Sequence, residues 1–309
     1  MRGKHFFLFL TFLLYCIVLK AQHYDTVSVF NTPVQIADVV IKAGWDVNAF
    51  IKRVKEDTTF YKAFRSMHLA SYQQFNNIAV YDKYNNVIAN YSSITRQYKK
   101  QACRFMMTDE RHSQGNFFDK NGNYNYYTAK LYDYLFFTKD TVCGENDWVA
   151  GMLQNRGMGK MEKSKYELKQ LIFNPGSKVA GVPLMGDKAN IFDDNEIKKY
   201  NLRVYIDSID GITCLVLSIK PKSSYAKDVV YNELITWFRQ SDKSIIARNY
   251  SLSFKTMVYD FDVNMKVRLK QFGSKLLPEH IIYDGNWHVF TQKREHVKFD
   301  TYISNVSFD

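Results

Sequence analysis

Hydrophobic and polar residues alternate most cleanly near the end of the chain. Val263, Met265, Val267 and Leu269 share one parity, and Asn264, Lys266, Arg268 and Lys270 share the other. Period-two patterning predicts a strand with one buried side. The same alternation sets Leu202, Val204 and Ile206 against Arg203, Tyr205 and Asp207, and Asp210-Gly211 predicts a tight turn into a strand over 212–220. Further strands are predicted at 233–239 and 245–255, then at 279–283, 287–290 and 297–303, with a turn at Asp284-Gly285 between 283 and 287. Strands joined by tight turns are antiparallel, because parallel neighbours need long crossovers.

The first third follows a different period. Starting at Ile36, apolar residues recur at Val39, Val40, Ala43, Val47, Phe50, Ile51 and Val54, which is helical spacing. Thr32-Pro33 is the expected start of this helical segment, and Gly44 divides it. Asp57-Thr58 is the expected cap of a shorter helix that turns Phe60, Phe64 and Met67 inward. Beyond Ala70 the pattern becomes β: a hairpin over 72–100 reverses at Asp82-Lys83-Tyr84-Asn85-Asn86, and a second surrounds Asn121-Gly122. The Tyr- and Phe-rich run 124–138 reads as a strand covered on both faces. Residues 144–200 read as an insertion or lid. It holds a loop over 144–159, a helix over 161–173 ending at Asn174-Pro175-Gly176, and a capping box at Asp193 and Glu196. The fold class expected is α+β: a curved sheet forming an open antiparallel β-barrel, with N-terminal helices covering its concave face.

Residues 1–22 change the picture of where the protein works. Arg2 and Lys4 precede an apolar stretch from Phe6 to Leu19 and a small residue, Ala21, which is the pattern of a secretory signal peptide cleaved near Ala21; an uncleaved anchor is the alternative. Residues 23–309 then form a single domain. No later segment approaches the ~18 consecutive apolar residues of a membrane helix, the longest run being 212–219. With 46% hydrophobic and 16% aromatic residues, the 309-residue chain has ample surface to bury, which excludes a disordered or fibrous protein. Its formal charge of +11 falls to +8 once Arg2, Lys4 and Lys20 are removed. An exported cation meets anionic lipid surfaces rather than nucleic acid. Export also permits a disulfide, for which Cys103 and Cys143 are the expected pair because Cys214 lies inside an apolar run.

No catalytic signature emerges. Asp109-Glu110-Arg111-His112 and Arg294-Glu295-His296 are the dense titratable groups, and both lie in polar stretches that read as solvated turns. His68, His280 and His288 are isolated in sequence and no HExxH or HxH spacing appears, so no metal site and no cofactor are expected; the alternative is a fold that assembles His112, His288 and His296. Asp119 to Asn123 departs from a calcium loop in having Gly fourth instead of sixth, and fits a hairpin turn better. Arg248-Asn249-Tyr250 and Tyr98-Lys99-Lys100 interleave cations with aromatics, a pattern that stacks sugars or bases when exposed and packs in a sheet otherwise.

One stretch bears a resemblance. Leu234-Ile235-Thr236-Trp237-Phe238-Arg239, a polar turn, and Ile245-Ile246-Ala247-Arg248-Asn249-Tyr250 are followed by the 263–269 strand and by Lys275-Leu276-Leu277-Pro278. In strand order, residues 200–306 resemble the LolA/LolB-like superfamily of outer-membrane lipoprotein-sorting carriers. This chain differs in its length, in the 144–200 insertion and in having no recognisable position for that family's lid-locking Arg. The resemblance implies an exported, non-enzymatic protein of the periplasm or outer membrane of a Gram-negative bacterium. It implies a monomer that binds a lipid or lipidated protein between sheet and helices. Phe50, Val54, Phe64, Val263, Met265, Val267 and Leu269 are the candidate cavity-lining residues, and the same residues serve equally as ordinary core. Two other readings fit: an envelope interaction module with a filled barrel, and a hydrolase whose residues converge only in space.

Overall fold

Alternating strands that each bury one side can pair into a sheet only if register keeps all the apolar parities on one face. In a computed structural model, which describes residues 24–29, 32–37, 40, 44–145, 175–176, 186–257, 259–289 and 293–308, that condition is met across almost the whole molecule. The N-terminal elements are β1 (Tyr24–Val29), β2 (Thr32–Ala37), α1 (Val47–Glu56) and α2 (Thr59–Ser66). Then come β3 (Ser71–Tyr81), β4 (Val87–Lys100), β5 (Cys103–Gly115), α3 (Tyr127–Phe136) and β6 (Val142–Cys143). The remaining strands are β7 (Tyr200–Ile209), β8 (Ile212–Pro221), β9 (Tyr231–Arg239), β10 (Ile245–Lys255), β11 (Tyr259–Phe272), β12 (Lys275–Val289) and β13 (Glu295–Ser307).

The thirteen strands form one curved sheet in the order β1-β2-β7-β8-β9-β10-β11-β12-β13-β3-β4-β5-β6, left open between β1 and β6. Its pairings are antiparallel except for β2 with β7, where Val34 to Ile36 run alongside Leu202 to Val204. A single register row shows how the inner face is built. It starts at Val34 and passes through Leu202, Ile219, Leu234 and Tyr250. It then continues through Met265, Tyr283, Phe299, Ile78 and Tyr91, and every residue along it is buried.

Helices α1, α2 and α3 lie on this inner face. Phe50 of α1 meets Phe238 of β9 edge-on with ring centroids 5.0 Å apart, and Phe60 of α2 approaches Tyr250 of β10. Tyr132 of α3 packs on Phe299 of β13 at 4.8 Å. Asp46 begins α1 by accepting a hydrogen bond from the Ala49 amide, and Val47, Phe50, Ile51 and Val54 form its buried stripe. Asp57 ends α1 and starts α2, its Oδ1 accepting from the amide and the hydroxyl of Thr59.

Several expectations need correction. Thr32 to Ala37 is strand, not the start of a helix, because pairing with β7 outweighs the helical spacing that resumes at Val47. The 124–138 run holds helix α3, with Ala129, Tyr132, Asp133 and Phe136 buried at helical spacing. Asp284-Gly285 is no turn: β12 passes straight through it, pairing Gly285 with Val263 on one side and Val297 on the other. Glu196 caps no regular helix, since Ile197–Lys199 is a single 3-10 turn without a side-chain cap. The predicted signal peptide, and the loop over 144–159 beyond Glu145 with the helix over 161–173, lie outside the described residues.

The turns at Asp82 and Asp119 share one design. Each carboxylate accepts amide hydrogen bonds from the residues two and four positions on, and one from the side-chain amide of Asn86 or Asn123. Asp210 and Gly211 both take positive φ, as a two-residue hairpin requires. A disulfide joins Cys103 at the start of β5 to Cys143 of β6, while Cys214 is a buried free thiol.

Candidate functional site

Beside the C-terminal end of α1, a cavity of about 170 Å³ opens over β8, β9 and β10. Val54 and the apolar side chains of Leu217, Ile219 and Leu234 form much of its wall, and Lys55, Asp57, Pro175, Gly176, Asn190 and Phe192 form its rim. The Gly176 amide donates to the Tyr231 hydroxyl at 3.0 Å, which fixes this part of the rim to β9.

One wall residue is charged and buried. Arg248 is paired in register with Thr236 on β9 and Val267 on β11, so its side chain shares the inner face with the core. Only 6% of it is exposed. Its Nε donates to Thr236 Oγ1 at 3.0 Å, and its guanidinium carbon lies 4.4 Å from the centre of the Phe60 ring. Among the described residues no ion pair reaches it. Burial pulls its pKa down to about 10, opposed by the nearby Asp57 carboxylate, so the side chain is charged at neutral pH.

Of the seven candidate cavity residues, Val54 stands on the cavity wall. The other six are buried in the surrounding core: Phe50 against Phe238, Phe64 against Phe60, and Val263, Met265, Val267 and Leu269 along the inner face of β11. Met265 also accepts a hydrogen bond from the Tyr250 hydroxyl at 3.2 Å to sulfur. Residue type alone does not place Arg248 here, because with Asn249 and Tyr250 it forms a basic–aromatic cluster. Its parity with Tyr250 and Leu252 is the signal that places it inside.

A second polar cluster sits beside the disulfide. His68 Nδ1 lies 2.9 Å from Glu145 Oε1, and Arg104 pairs with the other Glu145 oxygen. Arg104 also donates to Thr138 and, at 3.2 Å, to Gln97 Oε1, while Gln97 Nε2 donates to the carbonyls of Met67 and Ala70. Burial, its largest influence, raises the Glu145 pKa, but hydrogen bonds from His68 and Arg104 outweigh it and hold the carboxyl at about 2. Burial lowers His68 below its ordinary value. A His–carboxylate pair is half of an acid–base site. Here its partners are spent on tying β6 and the 3-10 turn at Met67–Leu69 to β4.

The dense titratable groups resolve into structural roles. Asp109 to His112 lie inside β5 and not in a turn, exposed, with Asp109 paired to Arg96 at 2.9 Å. Glu295 caps α3 across the fold, accepting from the amides of Tyr127 and Thr128 and from the Thr128 hydroxyl. His296 pairs with Asp284 and His288 with Asp260. No group of three His, Cys, Asp or Glu among the described residues is placed to hold a metal ion.

No family model matches the chain, and no curated protein matches it. Solved structures do. A DUF1329 family protein from Desulfovibrio piger is 13% identical, with 87% of this chain and 93% of that one covered, at a TM-score of 0.25. An outer membrane lipoprotein-sorting protein domain from Vibrio parahaemolyticus is 9% identical, with 80% and 89% covered, at 0.27. A LolA superfamily protein from Nitrosomonas europaea is 12% identical, with 82% and 92% covered, at 0.24.

Proposed function

We propose that this chain is an exported, non-enzymatic carrier or sensor that binds an apolar ligand, a lipid or a lipidated protein, between its helices and the inner face of its sheet. The observation that carries this reading is the cavity under α1, because it lies between the covering layer and the apolar face. Burial of an alkyl chain at roughly 25 cal/mol per Å² supplies the affinity without any covalent step. The cavity is close in size to an engineered cavity of ~150 Å³ that takes up benzene. It therefore holds part of an acyl chain, and a longer chain requires α1 and α2 to move off the sheet. We place the protein in the periplasm or at the outer membrane of a Gram-negative bacterium, as a monomer.

A second reading has an observation of its own. The register row from Val34 to Tyr91 is filled throughout by packed side chains, which suits an interaction module that binds partners through its outer face. Native mass spectrometry of protein purified from its own envelope, followed by organic extraction, separates the two. A co-purifying lipid or acyl chain is the expected result. A bare polypeptide mass, together with no fluorescence gain from an added apolar probe, would overturn the carrier reading in favour of the module.

A further inference from the structure

We propose that the cavity under α1 selects an amphiphile with a single oxyanionic head, a carboxylate or phosphate on an apolar chain, and that Arg248 reads that head. The inference rests on the carrier reading and specifies its ligand. A buried cation without a counter-ion costs several kcal/mol, so a fold that retains one at a cavity wall has left a binding valence open. Arg248 is more than nine-tenths buried and is fixed at Nε by Thr236 and on its face by Phe60. Among the described residues, no hydrogen bond reaches its two terminal nitrogens, which carry four of its five N–H donors.

Two parallel N–H groups in a rigid fork match a carboxylate or phosphate edge bidentately, which a lysine ammonium does not do. The Asp57 carboxylate is held by Thr59 at the junction of α1 and α2 and acts on Arg248 through space. Val54, Leu217, Ile219 and Leu234 supply an apolar stretch of the lining, a surface for methylenes. Head and tail subsites thus lie in one cavity. A neutral lipid entering it would leave the guanidinium buried and unpaired.

The test is titration of the full chain with laurate, dodecyl phosphate, methyl laurate and dodecanol below their aggregation concentrations, followed by fluorescence displacement or calorimetry. The wild type is expected to bind the charged ligands at least tenfold more tightly than the neutral ones. Laurate above dodecyl phosphate identifies a fatty-acid-like ligand, the reverse a phosphate-headed lipid, and both support the assignment. Arg248→Gln is expected to remove the preference, bringing laurate and methyl laurate affinities to within about twofold of each other, and Arg248→Lys to restore only part of it. Equal affinity of charged and neutral ligands for the wild type overturns the head-group inference and leaves the carrier reading standing. Because that comparison uses the wild type, it holds even where a variant fails to fold. Binding of none of the four overturns both. Inorganic phosphate alone protecting the protein from thermal unfolding as well as dodecyl phosphate would overturn the amphiphile assignment in favour of a simple anion site.

Discussion

Gly285 sits in the middle of β12 for a reason that backbone geometry does not supply. A Cβ there would lie 2.0 Å from the Tyr283 hydroxyl and 2.2 Å from Cζ, because the ring of Tyr283 folds along its own strand over the glycine. That ring is held from two other sides, stacked on Phe299 at 4.5 Å and accepting a hydrogen bond from Trp287 Nε1. We therefore expect Gly285→Ala to destabilise the protein by about 2–3 kcal/mol through overpacking, read from urea unfolding midpoints. Combining it with Tyr283→Val should cost less than the sum of the two, and strict additivity would count against this account. Asp-Gly is a strong turn signal, which is why the sequence reading placed a turn here. Nothing in a linear pattern tells a glycine that reverses the chain from one that makes room for a ring. Arg248 was illegible for a related reason: residue type argued for the surface, and only strand parity argued for the core.

At the scale of elements, the legible parts are those in which period and residue type agree. The hairpins from β7 to β11 follow from alternation punctuated by Asp210-Gly211 and by the polar turn after Arg239. Helix α3 was missed because Tyr and Phe favour strands, although Ala129, Tyr132 and Phe136 keep helical spacing. The helix also lacks a cap of its own, since its first residues are held by Glu295 from the start of β13. A cap supplied from across the fold leaves no local trace. Glu295→Ala is expected to cost about 1 kcal/mol and to speed hydrogen exchange selectively at the amides of Tyr127 and Thr128. Unchanged exchange at those two sites would show that α3 is held by packing alone. β2 is only partly a case of this kind: β7 lies far along the chain, but its other partner, β1, precedes it directly.

Over the whole molecule, the cluster of His68, Arg104 and Glu145 sets an acid response. Burial holds His68 below its ordinary 6.5, and Glu145 sits at about 2, below its ordinary 4.5. Both groups thus take up protons more readily in the unfolded chain. Their contribution is complete above about pH 6.5 and declines as pH falls, first as unfolded His68 and then, below 4.5, as unfolded Glu145 is protonated. Glu145→Gln should accordingly lower the urea midpoint at pH 7 more than at pH 3, and an equal loss at both would refute this assignment. The sheet order has a further consequence, in time. β13 lies between β12 and β3, so Tyr81 finds its partner His296 about 215 positions later. At roughly 5–20 residues per second of synthesis, β3 waits about 10–40 s with one edge unpaired. An unpaired edge is a template for any other extended chain. That delay leaves two half-sheets that cannot join until β13 has been made.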